Sequence, residues 1–197
     1  METVGRLLIA GFVTFMVGAA GWKPDYDQAP ESALPLIRAD RTRWRWIHIW
    51  MIPAVILTIA ALAGLATAVD VPSVTVAAAG YSMGAVLWIL TLTSRLTVTE
   101  WAAERLATSG SVPDVFPPLA VWASAGHSVH MLSAYAASAT LAVALGNEHL
   151  IAGWLAWAGV IFGVGLGALF LAPRTRWAAA PPFLAHVFTF AVGLALI

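Results

Sequence analysis

Residues 47–69 read IHIWMIPAVILTIAALAGLATAV, 23 consecutive positions without an Asp, Glu, Lys or Arg. An α-helix rises about 1.5 Å per residue, so this stretch is long enough to cross the roughly 30 Å hydrocarbon core of a bilayer. A surface helix of a soluble protein would instead alternate an apolar stripe with a charged face. The stretch therefore predicts a transmembrane helix.

The composition of the whole chain indicates the same class of protein. Hydrophobic residues make up 60% and charged residues 10% of the 197 positions, whereas about 25% of residues are charged in a soluble domain. The mean hydropathy is +0.84. We predict an all-α integral membrane protein, a six-helix bundle that forms a single membrane domain over residues 1–197. The predicted spans are about 7–22, 47–69, 72–94, 117–145, 150–171 and 180–197.

Several classes of function are excluded by the same composition. A formal net charge of zero argues against nucleic acid as a partner, and we expect the lipid bilayer to be the main one. The chain has no cysteine, so it has no disulfide, no thiolate metal site and no c-type haem attachment. No predicted span contains an acidic residue, which disfavours a coupled proton pump or cation transporter.

The basic residues predict the orientation. Arg6 lies alone on one side of the predicted bundle, and the other nine of the ten lie opposite. The positive-inside rule then places these nine in the cytoplasm and both termini outside the inner membrane. Cleavage of residues 1–20 as a signal peptide is the alternative, which would export the arginine-rich loop. The nine residues are Lys23, Arg38, Arg41, Arg43, Arg45, Arg95, Arg105, Arg174 and Arg176.

Two segments on the basic side are not predicted to cross the membrane. Residues 23–46 contain three prolines, which disfavour a continuous helix. Thr97 and Glu100 have the spacing of a capping box and predict a short cytoplasmic surface helix near 98–108. Glu100 and Glu104 share one face of that helix, where we expect them to be ordinary solvated carboxylates.

Small residues at four-residue spacing predict where helices approach closely. One such pair is Gly80 and Gly84 in the third span, and another is Gly163 and Gly167 in the fifth. These pairs predict contacts without identifying the partner helices.

Histidines are the strongest candidates for a functional site. His48, His127, His130 and His186 all lie in predicted spans, in the half toward the basic side. Polar groups are costly within a membrane and often mark function there. His48 lies between tryptophans at the membrane entry and is predicted to be interfacial, whereas His149 belongs to a loop.

The fourth span carries the histidines on a polar stripe. At about 100° per residue, Ser124, His127, His130, Met131, Ala134 and Ser138 share one face. His186 and Thr189 form a thinner stripe on the sixth span. We expect both stripes to face the bundle and to line a pocket, with Ser124, Met131, Ser138 and Thr189 in its wall.

Two facing imidazoles predict a b-type haem in the bundle. His127 or His130 would be one axial ligand and His186 the other, with Arg45, Arg95, Arg174 or Arg176 as partners of the propionates. His127 and His130 with Met131 also suit copper, and three histidines suit zinc. Hydrogen bonding to a Ser, a Thr or a free carbonyl, proton relay and substrate binding are the alternatives.

Three functions follow from these alternatives. The first is haem binding, with a membrane redox or haem-handling role, which requires a b-type spectrum that is lost in His186→Ala. The second is a cofactor-free accessory or scaffold subunit, docked to another membrane protein or to copies of itself. The third is a carrier or membrane enzyme for a small apolar molecule, which requires a cavity beside His127.

Overall fold

The computed structural model describes all residues, Met1–Ile197, and is 84% helical without strands. Six helical segments are long and apolar enough to cross a membrane, which confirms the predicted fold class and the number of spans. The helices are α1 (Glu2–Ala19), α2 (Pro30–Ala39), α3 (Arg41–Val69), α4 (Pro72–Ser94), α5 (Glu100–Ser109), α6 (Phe116–Asn147), α7 (Gly153–Leu171), α8 (Arg176–Ala179) and α9 (Leu184–Ala195).

The membrane-length helices pack as a closed bundle. Helix α1 packs between α3 and α9, α3 packs on α4, and α4 packs on α6. Helix α6 contacts both α7 and α9, which closes the circle. The hydrophobic core therefore runs through the whole molecule, and α6 and α9 face each other across it.

The short helix predicted near 98–108 is present as α5, but its start differs from the prediction. Helix α5 continues α4 directly through a π-helical turn, Arg95–Thr99. The Thr97 hydroxyl donates a hydrogen bond to the Thr93 carbonyl, and the predicted capping box does not form. The polar cap pattern in the sequence does not show that the backbone remains helical through it.

The segment between α1 and α3 folds back over one end of the bundle. It forms a 3₁₀ turn, Pro24–Asp27, followed by α2, which packs against α5. Glu100 is buried there and accepts hydrogen bonds from Arg41 and Arg45. The expectation that Glu100 is an ordinary solvated carboxylate is therefore wrong, because α2 and α3 cover it.

Glycine contacts are only partly those expected from spacing. A Cβ on Gly84 would lie 2.6 Å from the Ser133 Cβ on α6, whereas nothing lies within 4 Å of one on Gly80. Helices α1 and α9 also approach closely at Gly5 and Gly193, a contact that the two glycine pairs do not predict. Of the glycine pair predicted on α4, Gly84 therefore lies in a close helix contact and Gly80 does not.

Tryptophans surround both ends of the bundle. Trp46, Trp50, Trp101, Trp122 and Trp177 are exposed at the end where α3 and α6 begin, which also carries nine of the ten Lys and Arg residues; we call it the arginine end. Exposed Trp154 and Trp157 lie at the opposite end, where α7 begins. Aromatic belts of this kind sit at membrane–water boundaries, consistent with a multi-pass protein whose apolar outer face contacts lipid.

Candidate functional site

All four histidines of the predicted spans lie inside the protein. His48, His130 and His186 have no exposed surface, and His127 is largely covered. His48 is covered by protein at the arginine end, and its interfacial depth stays a prediction. Its ring packs between Trp22 and Trp44, and its Nδ1–H donates to the Trp44 carbonyl over 2.7 Å. The loop residue Trp22 folds over it, a contact that the sequence does not indicate.

His130 on α6 and His186 on α9 face each other in the core. Their ring centroids are 6.2 Å apart, with an angle of 45° between the planes. The prediction that the polar stripe of α6 turns toward His186 is thus met at His130. This placement follows from the packing of α9 against both α1 and α6.

Aromatic side chains enclose this pair. Trp88 stacks on His130 with centroids 5.7 Å apart and planes at 5°. Phe15 lies 4.7 Å from the His186 ring. Tyr81 contacts both imidazoles edge-on, at 5.8 Å from His130 and 6.3 Å from His186. The pair therefore lies in dry, aromatic surroundings.

Most nitrogens of the pair have no hydrogen-bond partner. Both ring nitrogens of His130 and Nε2 of His186 are buried and unpaired. Only His186 Nδ1 has a neighbour, the Tyr81 hydroxyl at 3.4 Å. An unpaired buried polar group costs about 1–3 kcal/mol, and buried polar groups in native proteins are nearly always satisfied. Three such atoms in one place make the pair the leading candidate for a ligand site in the core.

His127 has a different and structural role. The last membrane-length segment is interrupted between α8 and α9 at Pro181 and Pro182, which leaves carbonyls without helical partners. His127 Nε2–H donates to the Ala180 carbonyl over 3.1 Å, and the Tyr135 hydroxyl donates to the Ala179 carbonyl over 2.6 Å. Irregular backbone at membrane depth is tolerated where other helices satisfy it in this way.

The other predicted pocket residues separate into two groups. Met131, Ser138 and Thr189 are buried in the core, where the two hydroxyls bond to carbonyls of their own helices, those of Ala134 and His186. Ser124 instead lines a cavity near the arginine end. The predicted stripe is therefore real, but it does not line one continuous pocket.

Only one of the four predicted arginines points into the bundle. Arg45 is bound to Glu100, Arg174 is exposed, and Arg176 donates to the Ser128 hydroxyl and stacks on Phe170. Arg95 alone lies among interior rings, 5.6 Å from Trp22 and 5.8 Å from Trp88.

Arg95 borders a cavity of about 210 Å³ at the arginine end. Its walls come from α2, the Pro24–Asp27 turn, the π turn and the first turns of α6. None of the four buried histidines lines it. Asp27 stands at its rim, where burial raises the pKa of its carboxyl while the charge of Arg95 and contact with Trp22 partly oppose that rise.

The residues fit the axial ligands of a haem but not its ring. Two imidazoles on opposite sides of one iron suit the spacing of His130 and His186. The macrocycle, however, needs a flat slot between them, and Tyr81 packs edge-on against both rings. Haem binding stays a prediction that requires Tyr81 to move.

Comparisons of the chain with family models, curated proteins and solved structures give no match. The candidate site is described by its geometry alone: two buried imidazoles, those of His130 and His186, with three nitrogens that have no hydrogen-bond partner.

Proposed function

We propose that this protein binds one copper ion in the core of its membrane bundle, with His130 and His186 as ligands. The observation that carries the proposal is the pair of imidazoles 6.2 Å apart with three unpaired nitrogens. The protein would hold or pass on copper within the bilayer.

The spacing of the two rings suits one shared ion. Metal–nitrogen bonds of about 2.0–2.1 Å place each ring centroid about 3.2 Å from the metal, so two rings on one ion are at most about 6.4 Å apart. The separation of 6.2 Å lies close to that limit. An ion shared by His130 and His186 at this separation would have the two nitrogens in a nearly linear arrangement.

A nearly linear pair favours Cu(I) among the metals that imidazole binds. Zinc prefers four ligands in a tetrahedron; the chain has no cysteine, and its one buried carboxylate, Glu100, is bound to Arg41 and Arg45. Imidazole suits copper as well as zinc, and Cu(I) accepts two-coordination. The dry aromatic shell of Trp88, Phe15 and Tyr81 would protect the reduced ion from water.

Tyr81 supports the ligand role of His186. Metal-bound histidines usually donate their second N–H to a neighbouring oxygen, which fixes the ring. With the His186 Nδ1–H directed at the Tyr81 hydroxyl, 3.4 Å away, Nε2 keeps its lone pair for the ion. His130 offers either nitrogen, since neither has another partner.

Competition titration with a coloured Cu(I) chelator tests this proposal. The full chain in neutral detergent, under anaerobic reducing conditions, should bind one equivalent of Cu(I). His130→Leu and His186→Leu should each lower the affinity by at least about 100-fold, since loss of even an outer partner costs 10–100-fold.

His149→Asn is the matched control for these variants. His149 is exposed in the loop after α6 and has a φ of 54°, which asparagine adopts readily. This variant should bind copper like the native chain. Equal binding by His130→Leu and the native chain would refute the copper site, and a colourless, metal-free protein that purifies with a partner would favour the accessory-subunit alternative.

A further inference from the structure

Arg95 is a cation with one acidic neighbour, Asp27, and no ion pair. The structure contains five ion pairs, and Arg95 belongs to none of them. Its guanidinium makes no hydrogen bond to the protein and lies between Trp22 and Trp88. Cation–π contacts of this kind contribute about 0.5–2 kcal/mol, but they leave the five N–H donors of the guanidinium unused.

The backbone around Arg95 is also unusual. Arg95 begins the π turn Arg95–Thr99, and its carbonyl accepts a hydrogen bond from the Trp44 indole over 2.9 Å. Single π turns within helices occur frequently at functional sites. The turn and the Trp44 contact fix the base of the Arg95 side chain beside the cavity.

The cavity has the shape and chemistry of a head-group site. Its volume of about 210 Å³ is below the roughly 300–1,000 Å³ of sites that enclose a whole drug-sized ligand. Most of its wall is apolar, with Leu34, Phe116 and Leu119 among the lining residues. Exposed Ser124 also lines it, so the cavity reaches the surface at the level of the tryptophan belt.

Asp27 only partly offsets the charge of Arg95. Its carboxylate lines the same cavity but lies outside the 4.0 Å distance of an ion pair with Arg95. The cavity is therefore bordered by a cation without a hydrogen-bond partner in the protein and by a largely apolar wall. Arginine donors arranged in this way match carboxylate and phosphate oxygens.

We propose that this cavity binds the oxyanion head of an amphipathic molecule, through Arg95, with the apolar part of the molecule along the cavity wall. A fatty-acid carboxylate and a lipid phosphate share this chemistry. The site is separate from the histidine pair and does not depend on a metal there.

Calorimetric titration of the full chain in neutral detergent tests the proposal with four probes. Decanoate and decyl phosphate carry the two oxyanions, decanol carries the same chain without charge, and inorganic phosphate lacks the chain. The anionic amphiphiles should bind at least tenfold more tightly than decanol or inorganic phosphate. The stronger of the two identifies the fatty acid or the phospholipid as the source.

Three variants distinguish the cavity from the rest of the surface. Arg95→Gln should weaken binding of the preferred anion at least tenfold, and Ala120→Phe, which fills the cavity without changing any charge, should do the same. Arg105→Gln, which removes an exposed arginine of α5, should leave binding unchanged. Thermal unfolding shows whether each variant is folded. If Arg95→Gln does not fold, the binding measurement on Ala120→Phe still tests the proposal.

Equal binding of decanol and decanoate would overturn the proposal, as would binding by inorganic phosphate as tight as that of decyl phosphate. Unchanged affinity in both Arg95→Gln and Ala120→Phe would do the same. None of these outcomes bears on copper, whose binding is measured separately at His130 and His186.

Discussion

Trp88 and His130 stack with their ring planes at 5° and their centroids 5.7 Å apart, although they lie on different helices. The stack joins α4 to α6 in the middle of the bundle and holds His130 toward His186. Trp88 also contacts Arg95. One tryptophan thus contacts a residue of each of the two proposed sites.

His130→Leu should not destabilise the metal-free protein. The imidazole leaves two buried nitrogens unpaired, so its replacement by an apolar side chain of similar size should raise the free energy of unfolding by up to about 1–3 kcal/mol. With Cu(I) present, the native chain should instead be more stable than His130→Leu, because a ligand at 100 times its dissociation constant stabilises the native state by about 2.7 kcal/mol. Thermal unfolding with and without Cu(I) measures both effects. A loss of stability in the metal-free variant would mean that His130 has a partner other than a metal.

Gly84→Ala should disturb the site, whereas Gly80→Ala should not. The new Cβ at position 84 would lie 2.6 Å from the Ser133 Cβ and 3.1 Å from the His130 Cα, and nothing lies within 4 Å of one at position 80. Overpacking of this kind costs about 1–3 kcal/mol, and displacement of α6 should also weaken copper binding. Thermal unfolding and Cu(I) titration of the two variants provide the comparison. Equal behaviour of both variants would contradict the close contact of α4 and α6.

Glu100→Gln should lower stability more than Glu104→Gln. The Glu100 side chain is 6% exposed and binds both Arg41 and Arg45, whereas Glu104 is 55% exposed and binds Arg38. Because both arginine partners of Glu100 are about half exposed, we expect a loss of about 1–2 kcal/mol there, against less than about 1 kcal/mol for the surface pair. Chemical unfolding in detergent distinguishes them. A larger loss for Glu104→Gln would show that α2 does not cover Glu100.

Asp27 should make stability and anion binding pH-dependent. Burial raises the pKa of this carboxyl despite the opposing effects of Arg95 and Trp22. Since the folded state favours the protonated form, the contribution of Asp27 to stability is largest below its unfolded pKa and falls as the pH rises through its folded pKa. The ionised form should also compete with a bound anion for Arg95.

Asp27→Asn tests this expectation. The variant should lose that part of the pH dependence of thermal unfolding and should bind the preferred anionic amphiphile more tightly at neutral pH. Glu148→Gln, a change at an exposed carboxyl at the opposite end of the bundle, is the control. If thermal unfolding of Asp27→Asn has the same pH dependence as that of the native chain, a group other than Asp27 causes this dependence.

The fold could be predicted from the sequence because the length of an apolar stretch and the 3.6-residue period of a helix are local properties of the chain. Residues 47–69 are uncharged over a membrane thickness, and their span is found within α3, Arg41–Val69. The same period placed His130 on the face of α6 that meets α9. A pattern repeated every 3.6 residues fixes which side of a helix faces inward.

The candidate sites were harder to predict from the sequence than the fold, because they depend on contacts between segments that are distant in the chain. The cavity exists because α2 folds onto α5, and His48 is buried because Trp22 reaches it from a loop. The role of His127 follows from the helix interruption at Pro181 and Pro182. That proline pair was visible in the sequence, and it was the available signal that a nearby polar side chain would be needed to satisfy free carbonyls.

X-ray absorption at the copper edge of the Cu(I)-loaded full chain tests the central claim most directly. We predict two imidazole nitrogens at about 1.9–2.1 Å and no further strong ligand, with one imidazole lost in His186→Leu. A spectrum with sulfur or with three or more nitrogen ligands, or one that is unchanged in His186→Leu, would contradict the copper site formed by His130 and His186.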